Sequence, residues 1–291
     1  MLTVLCRAKL NLTLDVLRRR PDGFHDLDSV FLNIGLADRL VAALGGHGIR
    51  LTCADAPLPT DSRNLVYRAA ELYLSEAGSD AGVDLRLEKR IPLAAGLGGG
   101  SSDAAGALLA LNRLHDDRLE FPSLLGLAAS LGSDVPFFLV GGCARAGGRG
   151  ERLTKVALPE DAPLWFVLVK PDFGVGTAWA YRNLRLKETG DSRSQAMAEL
   201  LAAGSYERVG ELLTNDLEGA VLPEHPSLGE LKKRLLQAGA RGALMSGSGS
   251  TVFGLFESEA VARAAEPRLR GVGVTTYVAG AAATGLEVAH D

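Results

Sequence analysis

Between Pro92 and Leu114 the chain reads PLAAGLGGGSSDAAGALLALNRL, a run of small residues that passes without a break into an alanine- and leucine-rich helical pattern. No other segment restricts the fold as closely. Glycines let backbone N–H groups approach a ligand, and the N-terminus of the following helix adds the positive end of its dipole. Such a loop suits a phosphate. Two common nucleotide motifs are excluded: GxxxxGK[ST] lacks its lysine, and GxGxxG fails because Ser101 stands where the third glycine belongs after Gly96 and Gly98. The competing reading is a flexible turn that needs only positive φ angles, but small residues leading straight into a capped helix exceed what a turn requires.

The rest of the chain is that of a globular protein. Of 291 residues, 47% are hydrophobic and 23% charged, enough apolar material for one large domain or two packed ones. Lys and Arg total 31 against 35 Asp and Glu, a net charge of -4, and no like-charge run exceeds Arg18-Arg19-Arg20. That pattern makes no case for a nucleic-acid or membrane-surface partner, so an anionic ligand has to be met locally. Cys6, Cys53 and Cys143 stand far apart, without CxxC spacing or adjacent histidines, which argues against a zinc site and a disulfide framework. Arg7 and Lys9 interrupt what a signal peptide keeps apolar, and no stretch reaches the ~18 apolar residues of a membrane span. The expectation is a cytoplasmic protein, monomer or weak homodimer.

Along the chain, Thr3 to Val16 alternates loosely, and Pro21-Asp22-Gly23 separates it from a second apolar stretch, predicting strand, hairpin-like loop, strand. Asn64 to Leu74 has apolar residues at helical spacing with Gly78 as a stop, and VDLRLEKRI alternates with period two. A helix over Leu124 to Leu131 is followed by a loop at Gly132 to Pro136, ahead of the apolar FFLV. Glycine, proline and charge gather from Gly147 to Pro163 before the strand LWFVLV, which predicts domains 1–158 and 159–291. The second half is expected to hold a polar stretch (Lys187 to Gln195), helices near 196–202, 206–213, 227–237 and 257–269, and strands at TVFGLF and Val274 to Val278. Strands and helices alternate without a repeated βαβ period, so the reading is a two-layered α+β chain.

Three further features bear on a site. Gly247-Ser248-Gly249-Ser250 either adds N–H groups to a ligand pocket or joins two strands of a hairpin. Asp134, between Ser133 and Val135-Pro136, is either a turn or cap residue or a partly desolvated acid beside Phe137 and Phe138. Lys9, among Leu5, Leu10, Leu12 and Leu14, is either an outward strand residue or a cation aimed into a cleft.

Taken in order, AKLNLTLDV from Ala8, PLAAGLGGGSSDAA from Pro92, GSDVPFFL from Gly132 and LMSGSGSTVFGLF from Leu244 resemble the motifs of the GHMP small-molecule kinase superfamily. Within it, PDGFHDLDSV from Pro21 and the GLGGGSSDAA form of the loop resemble the branch that phosphorylates a cytidine-diphosphate-linked methylerythritol in non-mevalonate isoprenoid biosynthesis. The resemblance implies a two-domain α+β fold: an N-terminal domain like the second domain of ribosomal protein S5, a C-terminal ferredoxin-like domain, and the active site in the cleft between them. It implies ATP and Mg²⁺ as cofactors, with Ala94, Ala95, Gly96, Leu97, Gly98, Gly99, Gly100, Ser101, Ser102 and Asp103 around the ATP phosphates. The Ser101 and Ser102 hydroxyls then lie near the phosphates or Mg²⁺, while Asp103 acts through the helix dipole rather than as a metal ligand. Asn64 and Leu65 would border the adenine.

By the same resemblance Asp134 is the catalytic base and Lys9 the active-site cation, close to Asp134 and favouring charge on the transferred oxygen. Asn11, on the same strand face as Lys9, would bond the substrate's polyol. His25 would read the cytosine edge between Phe24, which stands where the family most often has tyrosine, and Tyr181, with Thr177 in the same segment. Ser246, Gly247 and Ser248 would line the cleft opposite the phosphate loop. Two alternatives stand beside this one. Another GHMP kinase, acting on mevalonate, phosphomevalonate or homoserine, would have no base to place against Phe24 and His25; a non-catalytic nucleotide-binding module would have no use for Lys9 and Asp134 together.

Overall fold

The computed structural model describes residues 1–159, 161–186 and 192–289. The first half holds β1 (Leu2–Arg19), β2 (His25–Leu44), β3 (Ile49–Thr52), α1 (Leu65–Ala77), β4 (Val83–Glu88), α2 (Gly99–Leu114), α3 (Phe121–Leu131), α4 (Val135–Val140), β5 (Cys143–Gly148) and β6 (Arg152–Val156). The second holds β7 (Trp165–Pro171), α5 (Thr177–Asn183), α6 (Arg193–Ala202), α7 (Val209–Leu212), β8 (Thr214–Asn215), α8 (Glu218–Glu224), α9 (Pro226–Gln237), β9 (Gly242–Met245), β10 (Val252–Phe256), α10 (Glu259–Ala265), β11 (Val274–Gly280) and β12 (Leu286–Ala289).

Two sheets organise these elements. The larger runs β12-β1-β2-β4-β3, with β5 also on β2, β6 on β5, and β8 on β1. The smaller runs β11-β7-β10-β9, all antiparallel. Read by its strands alone, the second half is strand, helices, strand, strand, helix, strand with the first and third paired at the centre, the ferredoxin-like arrangement. The even-numbered side chains of β1 serve two different cores, and the change falls at the register shift between Arg7 and Ala8. Val4 and Cys6 join the helices α1 to α4 on one face of the large sheet. Ala8, Leu10 and Leu12 pack with Phe166, Leu168 and Phe253 of the small sheet on the other. A third core, with Val167 and Val169, is closed by Leu228 and Leu235 of α9 and Ala262 of α10.

The two-layered expectation therefore holds within each half but not for the molecule, which stacks helix, sheet, sheet and helix. FFLV, expected to follow a loop, lies inside α4, because Pro136 at the start of a helix costs no hydrogen bond there. Part of the polar stretch from Lys187 falls outside the described residues. Two short strands carry no sequence signal: β12 pairs antiparallel with Thr3 to Cys6, and β8 pairs in parallel with Thr13 and Leu14. Both bring chain from the second half onto β1.

Helix α2 crosses β1 so closely that a β-carbon on Gly106 would overlap the Cys6 Sγ, with Leu40 Cδ2 3.6 Å and Leu286 Cδ2 3.7 Å away. In an open helix, Gly→Ala gains roughly 1 kcal/mol. At this crossing the methyl has no space, so Gly106→Ala should instead lower stability by about 1–3 kcal/mol in urea unfolding; a gain would contradict the close approach.

Candidate active site

The loop after β4 is held through its carbonyl groups on both flanks. Lys9 N–H of β1 donates to Leu97 O at 3.0 Å, and Ser246 Oγ donates to Gly96 O at 2.9 Å. Gly96 (φ +73°) and Gly98 (φ +69°) are left-handed, the region that favours glycine, and Ala94 takes φ 49° between them and β4. Gly98 caps α2, whose first backbone bond is Ser102 N–H to Gly98 O at 2.9 Å. The N–H groups of Gly99, Gly100 and Ser101 therefore precede the first helical bond and are the donors an anion can take.

This loop forms one wall of a cavity of about 1130 Å³. Its walls include every residue from Ala94 to Ser101, together with Lys9, Asn11, Phe24, His25, Leu65, Asp134, Thr177, Tyr181, Gly247 and Ser248. Residues from β1, the β1–β2 turn, the segment before α4, α5 and the β9–β10 turn thus converge on one space. Both readings of Gly247 to Ser250 are met at once, since the turn joins two hairpin strands and lines the cavity.

Four expected positions do not face it. Asn64 caps α1, its Oδ1 accepting from Val66 N–H at 2.9 Å, and so sets the position of Leu65. Ser246 is spent on the Gly96 carbonyl. Ser102 and Asp103 rotate with α2 away from the cavity into the interior, where the Ser102 hydroxyl has no partner among the described residues. Asp103 forms a buried cluster with Lys89 and Asp38: Lys89 Nζ lies 2.7 Å from Asp103 Oδ2 and also bonds Asp38 Oδ2. Asp38 Oδ1 in turn accepts from the N–H groups of Arg90 and Ile91. The helix dipole is thus a lesser part of what Asp103 does.

At the centre, Lys9 Nζ lies 3.4 Å from Asp134 Oδ2 and 4.3 Å from the centroid of the Phe31 ring, and it donates to Asn11 Oδ1 at 2.7 Å. The Asn11 amide donates to Ser29 Oγ at 2.9 Å, so Asn11 orients Lys9 as well as facing the cavity. Lys9 is buried, whereas the Asp134 side chain is 34% exposed. Asp134 occupies the cap position of α4 yet makes no side-chain capping bond, which leaves its carboxylate free to face the cavity.

At the far end Tyr181 stacks on His25, ring centroids 5.3 Å apart and planes at 27°. Burial, together with Arg19, pulls the His25 pKa below its ordinary value, so near neutral pH its ring has one donor and one acceptor nitrogen. Burial pushes the Tyr181 phenol up, with a smaller contribution from Asp134. Phe24 lines the same cavity; it is 52% exposed, with the Arg149 guanidinium 4.8 Å from its ring centroid.

The sequence reading missed four cations of the cavity wall. Arg19, Lys89, Arg149 and Arg182 join Lys9 there, against Asp134 as the only carboxylate among the described lining residues. A chain of net charge -4 thus lines one cavity with positive charge, as phosphate-bearing ligands require.

Comparison with known proteins agrees with this geometry. The family model of the GHMP kinases N terminal domain matches residues 64–142, and that of the GHMP kinases C terminal matches 197–274. The 4-diphosphocytidyl-2-C-methyl-D-erythritol kinase of Pelotomaculum thermopropionicum is 48% identical over 274 residues, 92% of this chain and 94% of that one. The chain belongs to this kinase family among the GHMP kinases. The enzyme of the same name from Geobacter metallireducens is 46% identical, over 91% of this chain and 92% of its own. A crystal structure of 4-(cytidine 5'-diphospho)-2C-methyl-D-erythritol kinase superposes with a TM-score of 0.83 at 43% identity, covering 96% of this chain and 99% of that one. Homoserine kinase from Cytophaga hutchinsonii shares the fold, with a TM-score of 0.80 at 23% identity over 99% of this chain and 97% of its own.

The cluster beneath the loop has a measurable signature. Burial pushes the Asp103 carboxyl up to about 8, the Lys89 ammonium opposing and Asp38 adding to the rise. A carboxyl raised in the folded state stabilises fully at acidic pH and loses that contribution as pH climbs towards the folded value. Between pH 5 and about 8, wild-type stability should therefore fall relative to Asp103→Asn, by at most about 1.4 kcal/mol per pH unit. Urea unfolding at several pH values measures the two slopes; parallel curves would contradict the assignment.

Proposed function

We propose that this protein transfers the γ-phosphoryl group of ATP to the 2-hydroxyl of 4-diphosphocytidyl-2-C-methyl-D-erythritol, giving the 2-phosphate and ADP. One observation carries the reading: a single cavity joins a phosphate loop, the Lys9–Asp134 pair and the His25–Tyr181 pair. A kinase acting on mevalonate or homoserine needs the first two features and has no use for the third. The family resemblance and the cavity together support an assignment in which the first domain, 1–158, carries the ATP phosphates and the second, 159–291, closes the cleft. We assign the enzyme to the cytoplasm, where ATP is supplied; among the described residues no helix is long and apolar enough to cross a membrane.

In this reading the ATP phosphates take the N–H groups of Gly99, Gly100 and Ser101, with the adenine towards Leu65. Cytosine sits against Tyr181 and bonds the neutral His25 ring, which can donate to one group of its edge and accept from another. The methylerythritol end then reaches Lys9 and Asp134. As the hydroxyl oxygen attacks the γ-phosphorus, Asp134 accepts its proton, a P–O bond forms, the bond to the β-phosphate oxygen breaks, and ADP leaves with that electron pair. Lys9, fixed by Asn11, places its ammonium where negative charge spreads over the transferred oxygens. The Ser101 hydroxyl on the cavity wall is an oxygen donor of the kind Mg²⁺ accepts and would hold it beside the ATP phosphates. Bound there it supplies charge neutralisation of the phosphates.

The test is ADP release with ATP and the cytidine substrate, run beside mevalonate and homoserine. Turnover should be confined to the cytidine compound. Asp134→Asn should lower kcat by about 10²–10⁴ with the KM for ATP little changed. Turnover on either of the other alcohols would overturn the substrate assignment, and an active Asp134→Asn enzyme the general base.

A further inference from the structure

If cytosine is held by His25 and Tyr181 and the acceptor hydroxyl by Lys9 and Asp134, the substrate's diphosphate must cross the span between them. From the residues on that span, and resting on the function proposed above, we infer that Arg149 is the residue that binds this diphosphate and selects for it.

Arg149 sits in the turn between β5 and β6 and faces the cavity. On one side its guanidinium lies 4.8 Å from the Phe24 ring centroid, next to the base-reading His25. On the other, Gly150 packs against the proposed general base: a β-carbon there would lie 3.6 Å from Asp134 Oδ1. The arginine thus stands between the two ends of the proposed substrate. The turn holds its backbone in place, with Arg149 N–H donating to Glu151 Oε2 at 2.7 Å.

The two lysines of the wall are already paired with carboxylates. Lys9 is held by Asn11 and Asp134, and Lys89 by Asp38 and Asp103. Arg182 Nε donates to Ala178 O at 3.2 Å on its own helix, and Arg19 lies opposite His25 at the end of the β1–β2 pair. Among the described residues no carboxylate pairs with Arg149. Its field reaches Asp22, which Arg20 already holds. A guanidinium in contact with an aromatic ring keeps its planar fork of N–H donors available to a further ligand. That fork suits two oxygens of a diphosphate, and the ring face limits the rotamers lost on binding. Neither mevalonate nor homoserine has a group for it, so the residue discriminates by what it would leave unpaired.

The test is calorimetric titration of wild type, Arg149→Gln and Arg149→Lys with cytidine, CMP and CDP, together with steady-state kinetics. Wild type should bind CDP more tightly than CMP and CMP more tightly than cytidine. Arg149→Gln should lose about tenfold or more in CDP affinity and leave cytidine unchanged, and Arg149→Lys should recover part of the loss. In turnover, KM for the cytidine substrate should rise more than kcat falls, with KM for ATP unmoved, which also reports an intact fold. Equal losses for cytidine and CDP, or no loss for CDP, would overturn the role of Arg149 while leaving the function standing. A wild-type protein that binds neither cytidine nor CDP would overturn the function and this inference with it.

Discussion

Gly96 has no room for a side chain. A β-carbon there would overlap the Ser246 carbonyl oxygen and lie 3.0 Å from Gly249 N, so two backbones from opposite halves of the chain meet at van der Waals contact. Hydrogen bonds fasten the meeting: Ser246 Oγ to Gly96 O at 2.9 Å, and Thr251 N–H to Ala95 O at 3.2 Å. On its other flank the loop is bound to β1 through Lys9 N–H and Leu97 O. The strand residue that supplies the central cation is thus bonded through its backbone to the phosphate loop. Positions of loop, lysine and the β9–β10 turn are coupled before any ligand arrives, which is the preorganisation phosphoryl transfer depends on.

Electrostatics follow the same plan. An acidic chain concentrates cations around one cavity, and two of them are aimed by neighbouring side chains. Asn11 turns Lys9 towards Asp134, and Phe24 offers Arg149 a flat face. Behind the loop, Lys89 sits between two buried carboxylates and ties the start of α2 to the end of β4. Removing Lys89 would leave buried carboxyl groups without their cation, so the cluster's contribution is to fix geometry more than to add net stability.

Much of this was legible in the sequence because it is local. The glycine run, its helix, the Pro21-Asp22-Gly23 turn and the alternation that puts Lys9 and Asn11 on one strand face all depend on neighbours within a few residues. What escaped depends on distant partners. Strand β12 is four residues of ordinary composition, and it exists because β1, from the opposite end of the chain, presents an unpaired edge. Asp103 reads as a first-turn acid at a helix N-terminus until Lys89 and Asp38 are brought beneath it. Arg149, between two glycines, reads as a connector; its use emerges once the β1–β2 turn sets Phe24 under it. The positive charge gathered around one cavity was invisible in a net charge of -4, because the fold and not the composition gathers it.

The central claim is that one cavity places the acceptor hydroxyl between Asp134 and the γ-phosphate while holding cytosine against His25 and Tyr181. A crystal structure with a non-hydrolysable ATP analogue and the cytidine substrate measures this directly. The account predicts triphosphate along Ala94 to Ser101, the base stacked on Tyr181, and the acceptor hydroxyl about 3 Å from an Asp134 carboxylate oxygen and in line with the γ-phosphorus. A cytosine bound elsewhere, or an acceptor hydroxyl directed to another group with Asp134 out of hydrogen-bond reach, would contradict it.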